Sequence, residues 1–553
     1  MKHLFKFSHQ SVFYLLTCLV SAVAIFLGSP VIAVEKYVDD EVYGMYEKRS
    51  MGKTPVYGGT YRTHFFPPPR SFDPHIETAT ETVAAINLTY SGLLRLAPRM
   101  DEIELDAAES WRQIDDLTYE FKLRKGIRFH DIPPVNGREM ISADVKYSIE
   151  RLTGMHGKKA HFKHSYYFAG KLDYIKTPDR YTIVIKTKRP YAPFIRYIAS
   201  AFSKIVPKEA VDKFGDLKRK SIGTGPFTLK EYVKGSHMLF VKNPNYFIKG
   251  RPYLDAVHFR ITPNVNTRMA AFLAGKMDGI GIYPFQIKTI LEKQPDLIMT
   301  EWPNLFTWIV RTSPWAKGKI EPKVPFGDRR VRQAIAHAID KKKVLQLSWF
   351  GAGQPQVGPI PRTFKPWGLS EADQWEYNPE KAKKLLAEAG YPNGFSCEMI
   401  TWNAPYMTKP MQVVQQMLAE VGIKAKLNPM EFAQYLNKAY RYEYDLALHI
   451  TIAGVDPSEW LVPYFGKLET STYYKWSNPV LWDLIEKQEY IMDQAERLKA
   501  VQKIQRMIMN EAMSQSIYVQ TRYFVAKPYV HFNPYFHAFS INHELVSMWM
   551  EKR

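Results

Sequence analysis

The chain has 553 residues, too many for one hydrophobic core, so two or three domains are expected. Hydrophobic content of 46% and aromatic content of 14% exclude a disordered chain. The net charge of +20 comes with no basic helix or arm of the kind that would point to nucleic acid. In an exported protein such charge suits anionic solutes or a membrane surface, or serves as an ordinary soluble surface.

The N-terminus carries the first compartment signal. Lys2 and Lys6 precede an uncharged apolar run, "SVFYLLTCLVSAVAIFLGSPVIA", and no acidic residue appears before Glu35. The run is broken at Gly28 and Pro30 and ends in Val31-Ile32-Ala33. That is the layout of a secretory signal peptide over residues 1–33, with a retained membrane anchor as the alternative. Cys18 inside the run, preceded by Thr17, argues against lipid attachment. Cleavage would leave Cys397 as the only cysteine, so no internal disulfide is expected.

After a polar leader (34–54), "YGGTYRTHFF" alternates as a strand and runs into the proline loop "PPPRSFDPH". Residues 78–96 read as a helix, with Ile86, Tyr90 and Leu94 at helical spacing. In "YEFKLRKGIRFHD", Tyr119, Phe121 and Leu123 share one strand face. His130-Asp131 is read as a turn with a hydrogen-bonded imidazole, not a catalytic dyad. Ser142 stands where the N-cap of the next helix should be, with Asp144 in its first turn. "RYTIVIKTKRP" and "AVHFRITP" read as strands, and "GTGPFTLKEYVKGSHMLFVKNPNYF" as a strand pair. Beyond about residue 305 helices and strands alternate, as α/β units do. The helix "NPEKAKKLLAEAGYP" has Asn378 at its cap, Pro379 at N1 and Gly390 at its stop. A long helix is expected from about Asp493 to Met513.

No P-loop, G-x-G-x-x-G, H-E-x-x-H or G-x-S-x-G motif occurs. His156, His161 and His164 match no common metal spacing and have no carboxylate or cysteine among them. No metal, cofactor or catalytic residue is expected.

In order along the chain stand "FKLRKGIRFHD…SADVKYSIERL", "GTGPFTLKEYVKG", "FVKNPNYF", "VRQAIAHAIDKKKV", "NPEKAKKLLAEAGYPNGF" and "AEVGIKAKL". Together they resemble the peptide/nickel class of bacterial extracellular solute-binding proteins, family 5, which feed ABC importers. The resemblance implies an α/β, two-lobed periplasmic binding fold with an extra subdomain in the first lobe and a ligand cleft between the lobes. By it, lobe I would cover 55–305 plus 523–553, with the subdomain at about 80–215, and lobe II 306–522. The chain would cross between lobes near Leu305 and Thr521. A monomer would bind a peptide or other small organic solute and pass it to a membrane permease. An exported chaperone or sensor without a transporter is the alternative, and an exported hydrolase a weaker one.

By position, the family's ligand loops correspond here to Phe65, Phe66 and Arg70, to Tyr166 and Tyr167, to Trp402, Asn403 and Tyr406, and to Gly454, Asp456 and Trp460. Trp308 and Arg311 are further candidates. Two positions depart from the family's peptide clamp. Ala453 stands where an Asp commonly holds the ligand ammonium, and Ala404 where the dipeptide type has an Arg for the carboxylate. A free dipeptide would lack partners for both buried charges, whereas Arg311 suits an acidic group on the ligand.

Overall fold

The computed structural model describes residues 36–37, 53–65, 67–76, 80–97, 102–154, 162, 164–313, 325–451, 454–467, 478–532 and 543–552. The signal-peptide segment, most of the leader, Phe66, His156, His161 and Ala453 lie outside these. The principal strands, in chain order, begin with β1 (Thr60–Phe65), β2 (Ala108–Gln113), β3 (Thr118–Leu123), β4 (Leu172–Asp179) and β5 (Thr182–Thr187). Then follow β6 (Phe227–Val233), β7 (His237–Lys242), β8 (Ala256–Ile261), β9 (Gly279–Ile282) and β10 (Ile298–Thr312). The last are β11 (Phe395–Trp402), β12 (Ile423–Met430), β13 (Leu446–Ile450) and β14 (Ser514–Ala526).

They build three main sheets. The first has the order β1-β8-β7-β6, parallel only between β1 and β8. A second, antiparallel sheet, β2-β3-β5-β4, is made wholly from the 108–187 region. The largest runs β9-β14-β10-β13-β11-β12. Its strands β10 and β14 pair antiparallel from Ile298–Ala526 to Arg311–Ser514. The register slips between Pro303 and Thr307, opposite Thr521 and Val519, because proline brings no N–H to the ladder. One end of this strand pair meets β9 and the other meets β13, so both strands serve two separate cores.

The alternation at Tyr119, Phe121 and Leu123 is observed, with all three buried. The helix expected over 78–96 is shorter: α1 spans Thr80–Thr89, and Leu94–Leu96 is a strand. Every residue from Thr82 to Leu94 is buried, so no polar face marks where the helix stops. The following helix, α2 (Ser142–Leu152), has Ile141 and not Ser142 at its cap. Asp144 accepts the Ile141 N–H at 2.9 Å, while the Ser142 hydroxyl donates to the Asp179 carbonyl at 2.6 Å.

The "GTGP" motif gains a physical reason. A Cβ on Gly223 would lie 2.1 Å from the Thr89 carbonyl oxygen, and one on Gly225 2.5 Å from the Thr89 carbonyl carbon. The two glycines therefore let this loop pass against the end of α1. His130, from a distant segment, packs against the same loop. Its Nδ1 accepts the Gly223 N–H at 3.4 Å, which leaves Nε2 to donate to the Gly225 carbonyl at 3.2 Å. Burial pushes this imidazole down to about 4, so it is a neutral scaffold group.

On the C-terminal side, α3 (Arg329–Ala338), α4 (Pro379–Glu388) and α5 (Pro405–Glu420) flank the largest sheet, and α6 (Phe432–Tyr440) covers the end of β11. Asn378 caps α4 by accepting the Lys381 N–H at 2.9 Å. After α7 (Ser458–Phe465), the long helix α8 covers Gln494–Glu511 with Asp493 at its cap. Arg332 of α3 donates to the Glu511 carbonyl at 2.9 Å, tying α8 to the C-terminal units.

Candidate functional site

Two clusters join segments far apart in the chain. The first lies where β11 ends and α5 begins. The Trp402 indole N–H donates to the Tyr406 hydroxyl at 3.3 Å, and its ring packs on Phe432 and Tyr435 at 5.3 and 5.1 Å. The Arg70 guanidinium, from the proline loop after β1, stands 5.5 Å from the centre of the Phe432 ring. Asn403 binds Met430 through its main chain, Asn403 N–H to carbonyl at 2.8 Å, and is exposed, as is Arg70. A cation and several aromatic rings meet here, with the exposed Asn403 next in sequence to Trp402. Such groups can stack a planar or apolar solute and orient its polar atoms.

The second cluster is buried. Tyr166 and Tyr167 lie in a 3-10 turn, Ser165–Tyr167. The Tyr167 ring stacks on Tyr197 at 3.8 Å, and its hydroxyl meets both Glu459 and, at 3.3 Å, Ser200. Glu459, in the first turn of α7, also accepts the N–H groups of Val455 and Asp456. With no cation beside it among the described residues, burial pushes its carboxyl up to about 8, and the nearby Asp456 adds to that. Burial alone would raise Asp456 too, but Arg497 of α8 holds it below the usual carboxylate range. That pair is bidentate, at 2.7 and 2.8 Å. Three more contacts join the same two segments. Lys171 Nζ lies 2.5 Å from Glu489, the Ala192 N–H donates to the Glu489 carbonyl at 2.9 Å, and Arg196 reaches the Val455 carbonyl at 3.4 Å.

The remaining sequence candidates are placed as follows. Phe65 is buried against Phe259, edge to face at 5.2 Å. Trp308 stacks on Tyr518 at 5.5 Å in the core beneath the largest sheet. Arg311, an odd number of residues further along β10, points to the other face. There it is fully buried, 5.6 Å from the Tyr444 ring, and adds to the burial that depresses His449. Gly454 packs so closely on Glu459 and Trp460 that a Cβ would stand 2.8 Å from either. Trp460 is buried against Phe364 at 4.9 Å. Asp456 is engaged by Arg497 and also accepts the Ser458 N–H at 2.9 Å. His164 stacks on Phe202 at 3.8 Å, and no group of three or more metal-ligating side chains occurs among the described residues.

Sequence reasoning missed Phe432, Glu459, Lys171, Glu489 and Arg497. Only Glu459 left a local signal: Asp456-x-x-Glu459 has capping-box spacing.

The family model described as "Bacterial extracellular solute-binding proteins, family 5 Middle" matches residues 102–472, more than half of the chain. The chain belongs to that family. Glutathione-binding protein GsiB of Escherichia coli K12 is 29% identical over 373 residues, covering 66% of this chain and 68% of GsiB. Heme-binding protein A of Haemophilus influenzae is 29% identical over 479 residues, covering 80% of this chain and 84% of its own. Among solved structures, the ABC transporter-associated periplasmic binding protein DppA from Helicobacter pylori, in complex with peptide STSA, superposes with a TM-score of 0.79. It is 26% identical and covers 92% of this chain and 100% of its own.

This family-5 protein therefore has the two-lobed periplasmic binding fold with a ligand cleft, as its sequence motifs imply. It is a solute-binding protein for ABC import that works outside the cytoplasmic membrane, and its family is one of binding proteins, not enzymes. Among the described residues no helix is long and apolar enough to cross a membrane.

Proposed function

We propose that the solute is a peptide or other small organic molecule carrying an anionic group, held between lobe I and lobe II and released to the permease of an importer. Lobe I is taken as 55–305 plus 523–553, with its subdomain at about 80–215, and lobe II as 306–522. The slip in β10 and β14 beside Leu305 and Thr521 supports a hinge there. The chain acts as a monomer, exported by a signal peptide cleaved after Ala33.

The observation that carries this reading is the contact of Arg70 from lobe I with Phe432, whose ring packs on Trp402 beside Tyr406, from lobe II. Stacking surfaces and one exposed cation fit an anionic organic solute. The carboxylates that could hold a ligand ammonium near the 454–460 loop are otherwise occupied: Asp456 by Arg497 and Glu459 by Tyr167 and two main-chain amides. Ala453 and Ala404 in the clamp positions point the same way. The relatives' ligands, glutathione, heme and a short peptide, set the range to search.

The test is thermal unfolding with glutathione, tri- and tetrapeptides, heme and opines. A true ligand at about a hundred times its Kd adds about 2.7 kcal/mol. Trp402→Ala and Arg70→Ala should each lose most of that shift. No shift with any of these solutes, or a shift unaffected by both variants, counts against the assignment.

A further inference from the structure

The buried cluster around Glu459 joins the subdomain of lobe I to α7 and the 488–490 turn of lobe II. Glu459 differs from the buried carboxylates of Asp73, Asp456 and Glu489. Asp73 has Arg151 at 2.6 Å, Asp456 has Arg497 and Glu489 has Lys171, whereas the partners of Glu459 are a phenol and two amides. A carboxylate sealed from water with no cation is costly, and a neutral carboxyl group is far less so.

The geometry accommodates the neutral form. Oε2 accepts the Val455 and Asp456 N–H groups, and Oε1 faces the Tyr167 hydroxyl. A proton on Oε1 can be donated to the Tyr167 oxygen, and the Tyr167 hydroxyl can then donate to Ser200 Oγ, 3.3 Å away. The two carboxyl oxygens, the Tyr167 hydroxyl and Ser200 Oγ then each keep a partner. Val455 and Asp456 lie in the loop that the family uses for ligand contact, so Glu459 is also what holds that loop against lobe I.

We propose that Glu459 is a proton-dependent latch: as the lobes close, its carboxylate takes one proton from solvent and is sealed as a carboxylic acid against Tyr167, and it releases that proton when they part. The inference rests on the closing movement proposed above. Among the described residues, the charged and titratable groups facing the latch are few. Asp456 is neutralised by Arg497, and Arg196 approaches the Val455 carbonyl. Glu489 is paired with Lys171, whose ammonium also meets Tyr191 at 2.8 Å. Tyr197 stacks on Tyr167, which Tyr166 and His164 also touch, at 5.1 and 5.0 Å between ring centres.

The sign follows from linkage. In the open form Glu459 titrates near the usual value of about 4.3, and burial in the closed form raises it to about 8. Closing is therefore most favourable at acid pH, weakens as pH rises between these values by up to about tenfold per pH unit, and is flat above.

The experiment uses the exported full chain with Lys171→Cys and Glu489→Cys, crosslinked by a short bis-thiosulfonate, so that the rate follows the closed population. Each pH is run in the Glu459 and the Glu459→Gln background, and their ratio cancels the pH dependence of thiol chemistry. The ratio should fall at least about tenfold between about pH 5.5 and 7.5. Tyr167→Phe, which removes the acceptor of the acid proton, should slow crosslinking most at the acid end. A ratio that does not change with pH overturns the latch while leaving closing intact. Immediate, complete crosslinking at every pH in both backgrounds would show that the lobes never part, overturning closing and latch together.

Discussion

At the scale of single residues, polar groups in this chain are decided by what seals them. His130 and Asp131 look like catalytic partners in the sequence, yet the imidazole spends both nitrogens on the main chain of Gly223 and Gly225. This makes a pH prediction. The folded form keeps His130 neutral down to about 4, while the unfolded chain binds a proton below about 6.5. Its contribution to stability is complete above about pH 6.5 and is lost as pH falls toward 4, up to about 3 kcal/mol. His75, pushed to about 3 by burial and by Arg151, acts in the same direction. Chemical denaturation from pH 7 to 4 should show this fall, and His130→Gln should flatten part of it. An equal slope in the variant would show that other groups carry the acid sensitivity. His130 was readable as scaffold because its strand and turn are local. Glu459 was not: its hydroxyl partner lies 292 positions away, and spacing along a chain carries no information about such a pair.

At the scale of elements, period-two alternation marked β3 because only one face of that strand is deeply buried, and Asn378-Pro379 marked the start of α4 because its capping chemistry is local. The end of α1 was hidden by burial on all sides, and the cap of α2 by Ser142 having a better acceptor in Asp179. The family motif "GTGP" is explained by contact instead of flexibility. Gly225→Ala should destabilise the chain by about 1–3 kcal/mol, the usual cost of forcing a methyl into a packed site, because its Cβ would stand 2.5 Å from the Thr89 carbonyl carbon. Equilibrium urea unfolding measures this. An unchanged midpoint would mean that α1 and the loop can separate freely, against the packing described.

At the scale of the molecule, two strands of 15 and 13 residues run through both cores, and the hinge proposed above lies at the register slip between Pro303 and Thr307. Sequence order and motifs were enough to indicate two lobes and a cleft, because the family's elements follow one another without rearrangement. The ligand was not legible, since specificity depends on the directions of side chains from several loops: Phe65 and Trp308 turn into cores, while Phe432, not among the sequence candidates, faces Arg70. In the function proposed above, this protein captures a small anionic organic solute outside the cell membrane. Native mass spectrometry of the exported protein, purified without refolding and then denatured to release its passenger, tests it most directly. One defined peptide or organic acid, bound one to one, is expected. Protein that emerges empty, and stays empty after incubation with the solutes named above, would contradict it.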